Sequence, residues 1–474
     1  IGRMCLDAAG YQTRRGDIKR VNGKGESMTF ETKGKENNGA TYGRRSDWQD
    51  LYSIAKKYYE ALLADPGNAL FHLTDPRGAS DKSGRTFNNP YQYFFEQMHM
   101  DDAIYADESI YEYPMQQGGG NDGRPYSFGR PSSGGSKAAY PCKSYGQGRI
   151  NPAYFYGVFD PNDMRRDVSI TMTGSNGKGV EKLIPFVPNS KAEGGGLTLN
   201  KWDENRQANP WVAAQRKSGI NGPYMRMSEV YLGYAEVCAA LGDVVTGKQY
   251  LKTVRERSFP QGLADTDGFI ASFGNDLVRA IIEERGFEYA GEGDRRWTLI
   301  RSGYLPEDIK RIKDMTKAMM DGLATKGYYE FENGNIISAY IWTKLVDAKT
   351  IYGHRLTAQC PTDKVNDPVL YPGWRGQKDN WEEMGLNYGS STPATNLAIK
   401  GLFEIVSEEE AASLESQGYT KVNWGIDLVD NRDEYDKYLF WDYDYVSAPI
   451  YLWPFTPNVM AAGGFTNGYG FKQE

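Results

Sequence analysis

Between Tyr224 and Ser258 the chain reads YMRMSEVYLGYAEVCAALGD followed by VVTGKQYLKTVRERS, and this pair of segments constrains the fold more than any other feature. Ser228, Tyr231, Leu232, Ala235, Cys238 and Ala239 recur at the i, i+3, i+4, i+7 spacing of one helix face. Gly242-Asp243 supplies a turn, after which Tyr250, Leu251 and Val254 face back. Two antiparallel helices with small residues at their contact form the unit of a tetratricopeptide-like array. The spacing therefore predicts a hairpin of helices over 225–241 and 244–258. A further helix over 276–291 is expected to pack near it, with another over 307–323. Upstream, Trp48, Leu51, Tyr52, Ala55, Tyr58, Tyr59 and Leu62 repeat the helical period behind Ser46 as N-cap, and Pro66-Gly67 ends the run. This is half of a second unit. The first 75 residues read as helix, polar loop over 22–45, and helix.

The remaining segments have a different texture. Residues 88–114 read as a short helix and then a strand, and 327–474 as short strands and loops dense in Tyr, Trp, Asn and Gly. The stretch 117–148 is rich in Gly, Ser and Pro, yet Tyr126, Phe128, Tyr140 and Tyr145 interleave with the small residues, which a pure linker would lack. The expected fold class is mostly α: tetratricopeptide-like helical hairpins with an irregular second subdomain of loops and short strands. Residues 1–80 and 224–325 would form the helical scaffold, and 81–223 and 326–474 the ligand-facing part.

A formal charge of −7 lacks the positive footprint that phosphate neutralisation requires, so a nucleic-acid partner is not expected. No apolar run reaches 18 residues, so no spanning helix is expected. Cys5, Cys142, Cys238 and Cys360 contain no CxxC pair. Cys5 and Cys238 sit in apolar helical patterns as buried thiols, and a bridge between Cys142 and Cys360 stays open. The sequence opens at Ile1 within a helical pattern, from which a missing N-terminal part is expected.

Glu284, Arg285, Glu288, Glu292, Arg295 and Arg296 have the residue types of an acid/base site. With so many Arg partners at helical spacing, they read instead as an ion network joining helices. Such a network keeps carboxylates ionised, the wrong state for a general acid. Three histidines without an HxH or HExxH pattern, and the absence of a GxSxG elbow or a P-loop, give no catalytic, metal or cofactor site. A pair of carboxylates for glycoside hydrolysis stays open among 62 acidic residues. Trp48, Tyr52, Tyr231, Tyr234 and Trp297 lie on helical stripes and are expected in the core. Trp202, Trp211, Trp374, Trp381 and Tyr388 sit among polar and turn residues, where core and ligand-facing roles balance. Rings spaced by Gly, Pro and charge leave no continuous apolar face. On that ground Tyr126, Phe128, Tyr140, Tyr145, Trp374, Trp381 and Tyr388 are the candidate ligand-binding residues, with Arg124, Arg130 and Arg375 among the donors.

Three segments carry a resemblance to a known family. They are Arg226-Met-Ser-Glu-Val-Tyr-Leu-Gly-Tyr-Ala-Glu236; Glu283-Glu-Arg-Gly-Phe-Glu288 with Gly291-Glu-Gly-Asp-Arg-Arg-Trp297; and Tyr451-Leu-Trp-Pro-Phe455 with Asn467-Gly-Tyr-Gly-Phe471. In this order the chain resembles the SusD/RagB family of surface nutrient-binding lipoproteins, departing from it at Phe455, where that family more often has Ile. The resemblance implies a non-catalytic protein at the outer surface of a Bacteroidetes-type outer membrane, held by a lipid on an N-terminal Cys. It further implies two more helical repeats ahead of Ile1 and a SusC-like, TonB-dependent transporter as partner. Glycan is the expected ligand and oligopeptide the alternative. The matched motifs assign no ligand contacts, so the candidate residues rest on local chemistry alone.

Overall fold

The computed structural model describes residues 1–76, 89–99, 105–116, 118–119, 123–132, 143–175, 181–188, 195–203, 216–347, 395–438 and 443–472. Within them, helices dominate and strands are short. Met227–Ala240 and Val244–Arg257 form the expected hairpin, and Asp243 caps the second helix by accepting from the Thr246 amide at 3.3 Å. Leu232 and Ala235 meet Leu251 and Val254 in an apolar cluster that also takes Ile270, Leu277, Ala280 and Ile281. On its other side, Val230, Tyr234 and Cys238 pack against Leu6, Ala9, Tyr52, Ala55 and Tyr59. The Met227–Ala240 helix is thus apolar nearly all round and lies inside the fold, as such helices do.

That central position depends on close approach. Tyr59, on the Trp48–Ala64 helix, lies between Gly2 and Gly233. A Cβ added at Gly2 would stand 2.7 Å from the ring and one at Gly233 2.6 Å from it. Glycine at both positions lets three helices share one aromatic ring. Cys5 and Cys238 are buried free thiols, as their patterns suggested.

The polar loop expected over 22–45 is a correction. Gln12–Arg15, Phe30–Asn37 and Ala40–Arg45 form a three-stranded antiparallel sheet with Ala40–Arg45 in the centre. Phe30–Asn37 is largely exposed, so it shows no apolar alternation. The legible signal was the turn: Asn38 and Gly39, at φ 45° and 77°, are the two left-handed residues of a tight hairpin. Ser46 is not the cap either. Asp47 holds the N-cap position, but its carboxylate binds Arg45 at 2.7 and 2.6 Å instead of a backbone amide.

Later segments assemble around a third apolar cluster that includes Phe155, Tyr156, Phe331, Ile341, Phe403 and Trp424. Trp424 donates its indole N–H to the Tyr156 hydroxyl at 2.8 Å. Tyr340–Asp347 pairs antiparallel with both Thr395–Lys400 and Thr420–Asn423. Trp297, expected in the core, is 52% exposed. Its helix, Asp294–Ser302, buries Thr298, Leu299, Ile300 and Arg301 and turns the tryptophan outward.

Candidate ligand-binding surface

The acidic cluster is the first place to look for chemistry. Leu277–Glu288 buries every residue except Val278. Glu284 and Glu288, one helical turn apart, share Arg165, whose Nη1 donates to them at 2.7 and 3.0 Å. Arg255 donates to Glu284 at 2.7 Å. Glu288 also accepts from Arg226 and Arg257, while Glu108 accepts from the same two arginines. Lys201 and Arg226 converge on Glu292 at 2.6 and 3.0 Å. Burial alone pushes the Glu288 carboxyl up, but Arg257, Arg226 and Arg165 together hold it well below the usual carboxylate range. An ionised, fully partnered carboxylate has no proton to give. The cluster is structural, with two corrections to its wiring. Arg296 lies outside it, donating to the Tyr451 carbonyl. Arg285 pairs with Asp294 at 2.6 Å, not with Glu284 or Glu288.

The candidate aromatics are placed less uniformly. Tyr126 lies in the short Gly123–Phe128 helix and is buried, with only 7% exposed, so it is not a platform for a ligand. Its ring meets Tyr145 edge-on at 5.0 Å, and Arg216 covers it at 4.1 Å. The two limbs of the loop are tied by the Tyr145 amide donating to the Tyr126 carbonyl at 2.8 Å and by Gln147 donating to Ser127 at 2.7 Å. Tyr145 is half-buried, and Lys143 sits 4.9 Å from its centroid. A hydrogen bond from Tyr126, with the Lys143 charge, lowers the Tyr145 phenol from its ordinary value. Phe128 is 46% exposed at the end of the same helix. Arg130 is buried and donates to Thr173 at 3.1 Å, and Arg124 lies 5.8 Å from the centroid of Trp202, itself buried. Tyr140, Trp374, Trp381 and Tyr388 lie outside the described residues, as do Trp211, Arg375, Cys142 and Cys360.

What the structure brings together is a loop edge bearing Phe128, half of Tyr145 and two cations, Lys143 and Arg216. Arg216 was not singled out from the sequence. Its backbone is left-handed, at φ 66°, and nothing in its neighbourhood along the chain marks it.

The family model for SusD proteins matches residues 71–454. The chain belongs to the SusD/RagB family. The matched span holds the segments 226–236 and 283–297 whole and reaches Pro454 in the third. A SusD-like protein of Formosa agariphila is 28% identical over 160 residues, which is 34% of this chain and 26% of that protein. Among solved structures, a SusD homologue of Bacteroides thetaiotaomicron is 18% identical, with a TM-score of 0.41 over 58% of this chain and 52% of that one. Surface glycan-binding protein A from the same organism, in complex with laminarihexaose, is 19% identical, with a TM-score of 0.38 over 55% and 52%. The chain spans about half the length of these two solved proteins and about a quarter of the curated relative.

Proposed function

We propose that this chain is a cell-surface glycan-binding protein that captures its ligand without cleaving it and delivers it to a SusC-like, TonB-dependent transporter in the outer membrane. The observation that carries the reading is the family match over residues 71–454. Surface glycan-binding protein A of Bacteroides thetaiotaomicron is solved in complex with laminarihexaose, which makes that hexasaccharide the first ligand to test. The loop edge at Phe128 and Tyr145 supplies suitable chemistry, because pyranose C–H faces stack on rings while Lys143 and Arg216 donate to hydroxyls. In this reading the helices of 1–80 and 224–325 are the scaffold and the segments between and after them face the ligand. An N-terminal lipid would anchor the protein at the outer membrane.

The test is isothermal titration of the purified protein with laminarihexaose and with a panel of other neutral oligosaccharides, beside a mixed oligopeptide pool. Saturable binding to a saccharide with no new reducing ends after prolonged incubation is the expected result. Protein-dependent release of reducing ends would overturn the binding-only role. Binding to peptides alone would move the ligand class to oligopeptide.

A further inference from the structure

The loop edge carries positive charge on a chain whose formal charge is −7. Lys143 and Arg216 stand over the two rings of the edge-on Tyr126–Tyr145 pair, 4.9 Å from the Tyr145 centroid and 4.1 Å from that of Tyr126. Neither cation has a carboxylate within 4.0 Å among the described residues. In the scaffold, by contrast, Arg165, Arg226, Arg255 and Arg257 each meet at least one buried carboxylate. Both charges at the loop edge reach one oxygen. After the hydrogen bond from Tyr126, Lys143 and then Arg216 press the Tyr145 phenol below its ordinary value. Cations that converge on one hydroxyl with no acid to balance them create a local positive potential, and an anion set beside that hydroxyl would be held by both.

The surroundings hold these groups in place. Ser144, only 2% exposed, lies between Lys143 and Tyr145. Its amide and carbonyl both pair with Ser132, at 3.1 and 3.0 Å, and its hydroxyl donates to the Pro125 carbonyl at 2.9 Å. The chain is therefore fixed where the lysine and the tyrosine leave it. Arg216 reaches Tyr126 from a left-handed backbone, at φ 66°. A long side chain adopts that conformation against its own preference, and glycine adopts it freely. A guanidinium over a ring keeps N–H donors at its edge, and the Arg216 side chain makes no hydrogen bond or ion pair among the described residues. Phe128, 46% exposed at the end of the helix that carries Tyr126, adds a ring face to the same edge. Two anchored cations with an exposed ring suit a sugar that carries an acid, its ring stacked and its charge paired.

We propose that the loop edge selects an anionic saccharide, its carboxylate or sulfate held between Lys143 and Arg216 and its ring set against Phe128. The saccharide class rests on the proposed function; the preference for an anion rests on the two cations. Isothermal titration compares hexagalacturonate with its fully methyl-esterified form, and a sulfated hexasaccharide with its desulfated form, so that the charge changes while the sugar stays. The parent is expected to bind at least one acidic form about tenfold or more tighter than its neutral counterpart, with the advantage shrinking as salt is added. Which acid gains identifies the group as carboxylate or sulfate. In the Lys143→Gln, Arg216→Gln double variant the two members of each pair should bind alike, whatever the loss in absolute affinity. Arg216→Gly removes the guanidinium and relieves the left-handed backbone, so it carries the test if the double variant is unstable, and Arg216→Lys should keep part of the preference. Equal binding of charged and neutral forms to the parent, or a preference that survives in the variants, overturns the inference and leaves the proposed function standing. Hexaglutamate bound as tightly, and lost in the same variants, overturns the saccharide class in favour of an acidic protein segment. No saccharide bound, charged or neutral, overturns both readings.

Discussion

Replacing Glu288 by Gln is the sharpest test of how the scaffold is held. The network around it contains Arg165, Arg226, Arg255, Arg257 and Lys201 against Glu108, Asp163, Glu284, Glu288 and Glu292, five charges of each sign. The side chains of Arg165, Arg226, Arg257 and Glu288 are at most 1% exposed. Glutamine keeps the shape but leaves one net positive charge in a site shielded from water. Removing one partner of a buried ion pair costs about 3–5 kcal/mol. Each arginine keeps a second carboxylate, so the lower end of that range is expected. An unfolding entropy of about 2.1 cal/mol/K per residue, taken over the whole chain, gives roughly 1 kcal/mol/K, hence a fall in melting temperature of about 3–5 °C. A smaller cooperative unit would shift further.

Differential scanning calorimetry at pH 7 reads this directly, with Glu256→Gln as control. Glu256 pairs with Lys252 at 3.5 Å with both side chains more than half exposed, and its loss is expected to cost under about 1 kcal/mol. The pH dependence has a fixed sign. The folded carboxyl of Glu288 titrates below its ordinary 4.5. Its contribution is therefore complete above about that pH and is lost as pH falls through the lower folded value. The gap between parent and Glu288→Gln should be constant from pH 6 to 7 and narrow below pH 4.5. A Glu288→Gln protein that melts with the Glu256→Gln control would refute the claim that this network is a structural keystone.

Other substitutions probe other layers. Gly233→Ala puts a Cβ 2.6 Å from the Tyr59 ring, and chemical denaturation should show a loss of about 1–3 kcal/mol from overpacking. Phe128→Ala should weaken saccharide binding by about 1–3 kcal/mol, by analogy with other ring stacking, without moving the melting temperature. Tyr126→Ala, at a buried ring, should lower stability by about 3 kcal/mol; the reverse pattern in titration and calorimetry would exchange their roles. Lys201 is pushed down to about 8 from 10.5, by burial first and against the pull of Glu292. Between those values the unfolded chain holds more protons, so stability gains with rising pH. Relative to Lys201→Met, the parent should gain up to roughly 3 kcal/mol from pH 8 to 10.5, and a flat difference would show that Lys201 titrates normally.

The helical half of this fold was legible because its determinants are local. The spacing of Leu232, Ala235 and Cys238, and the turn at Gly242-Asp243, lie within one stretch of chain, and the observed hairpin follows them closely. Where the sequence misled, the deciding partner was distant or the signal was not apolar. Phe30–Asn37 is a strand by backbone pairing alone, and the only clue was Asn38-Gly39. Trp297 fits a helical stripe, but which face of that stripe is covered depends on the remote segments that pack against it. Glu284 was readable as an ion-network member from its neighbours, yet its partner Arg165 lies 119 positions away.

This contrast bears on where function can sit. The segments 226–236 and 283–297 that mark the family are where carboxylates are most numerous, and a reader looking for catalysis would start there. In the fold Glu283, Glu284 and Glu288 are buried among arginines, and Glu283 and Glu288 are held ionised against the pull of burial. A general acid needs a proton near neutral pH and access to the bond it cleaves. Glu288 lacks both, because the guanidiniums that keep it charged also fill the space around it. The family's signature therefore encodes a rigid frame. Chemistry that meets a ligand has to come from side chains whose hydrogen-bonding or stacking capacity the frame leaves unspent, and Phe128 on the loop edge is one proposed for that role.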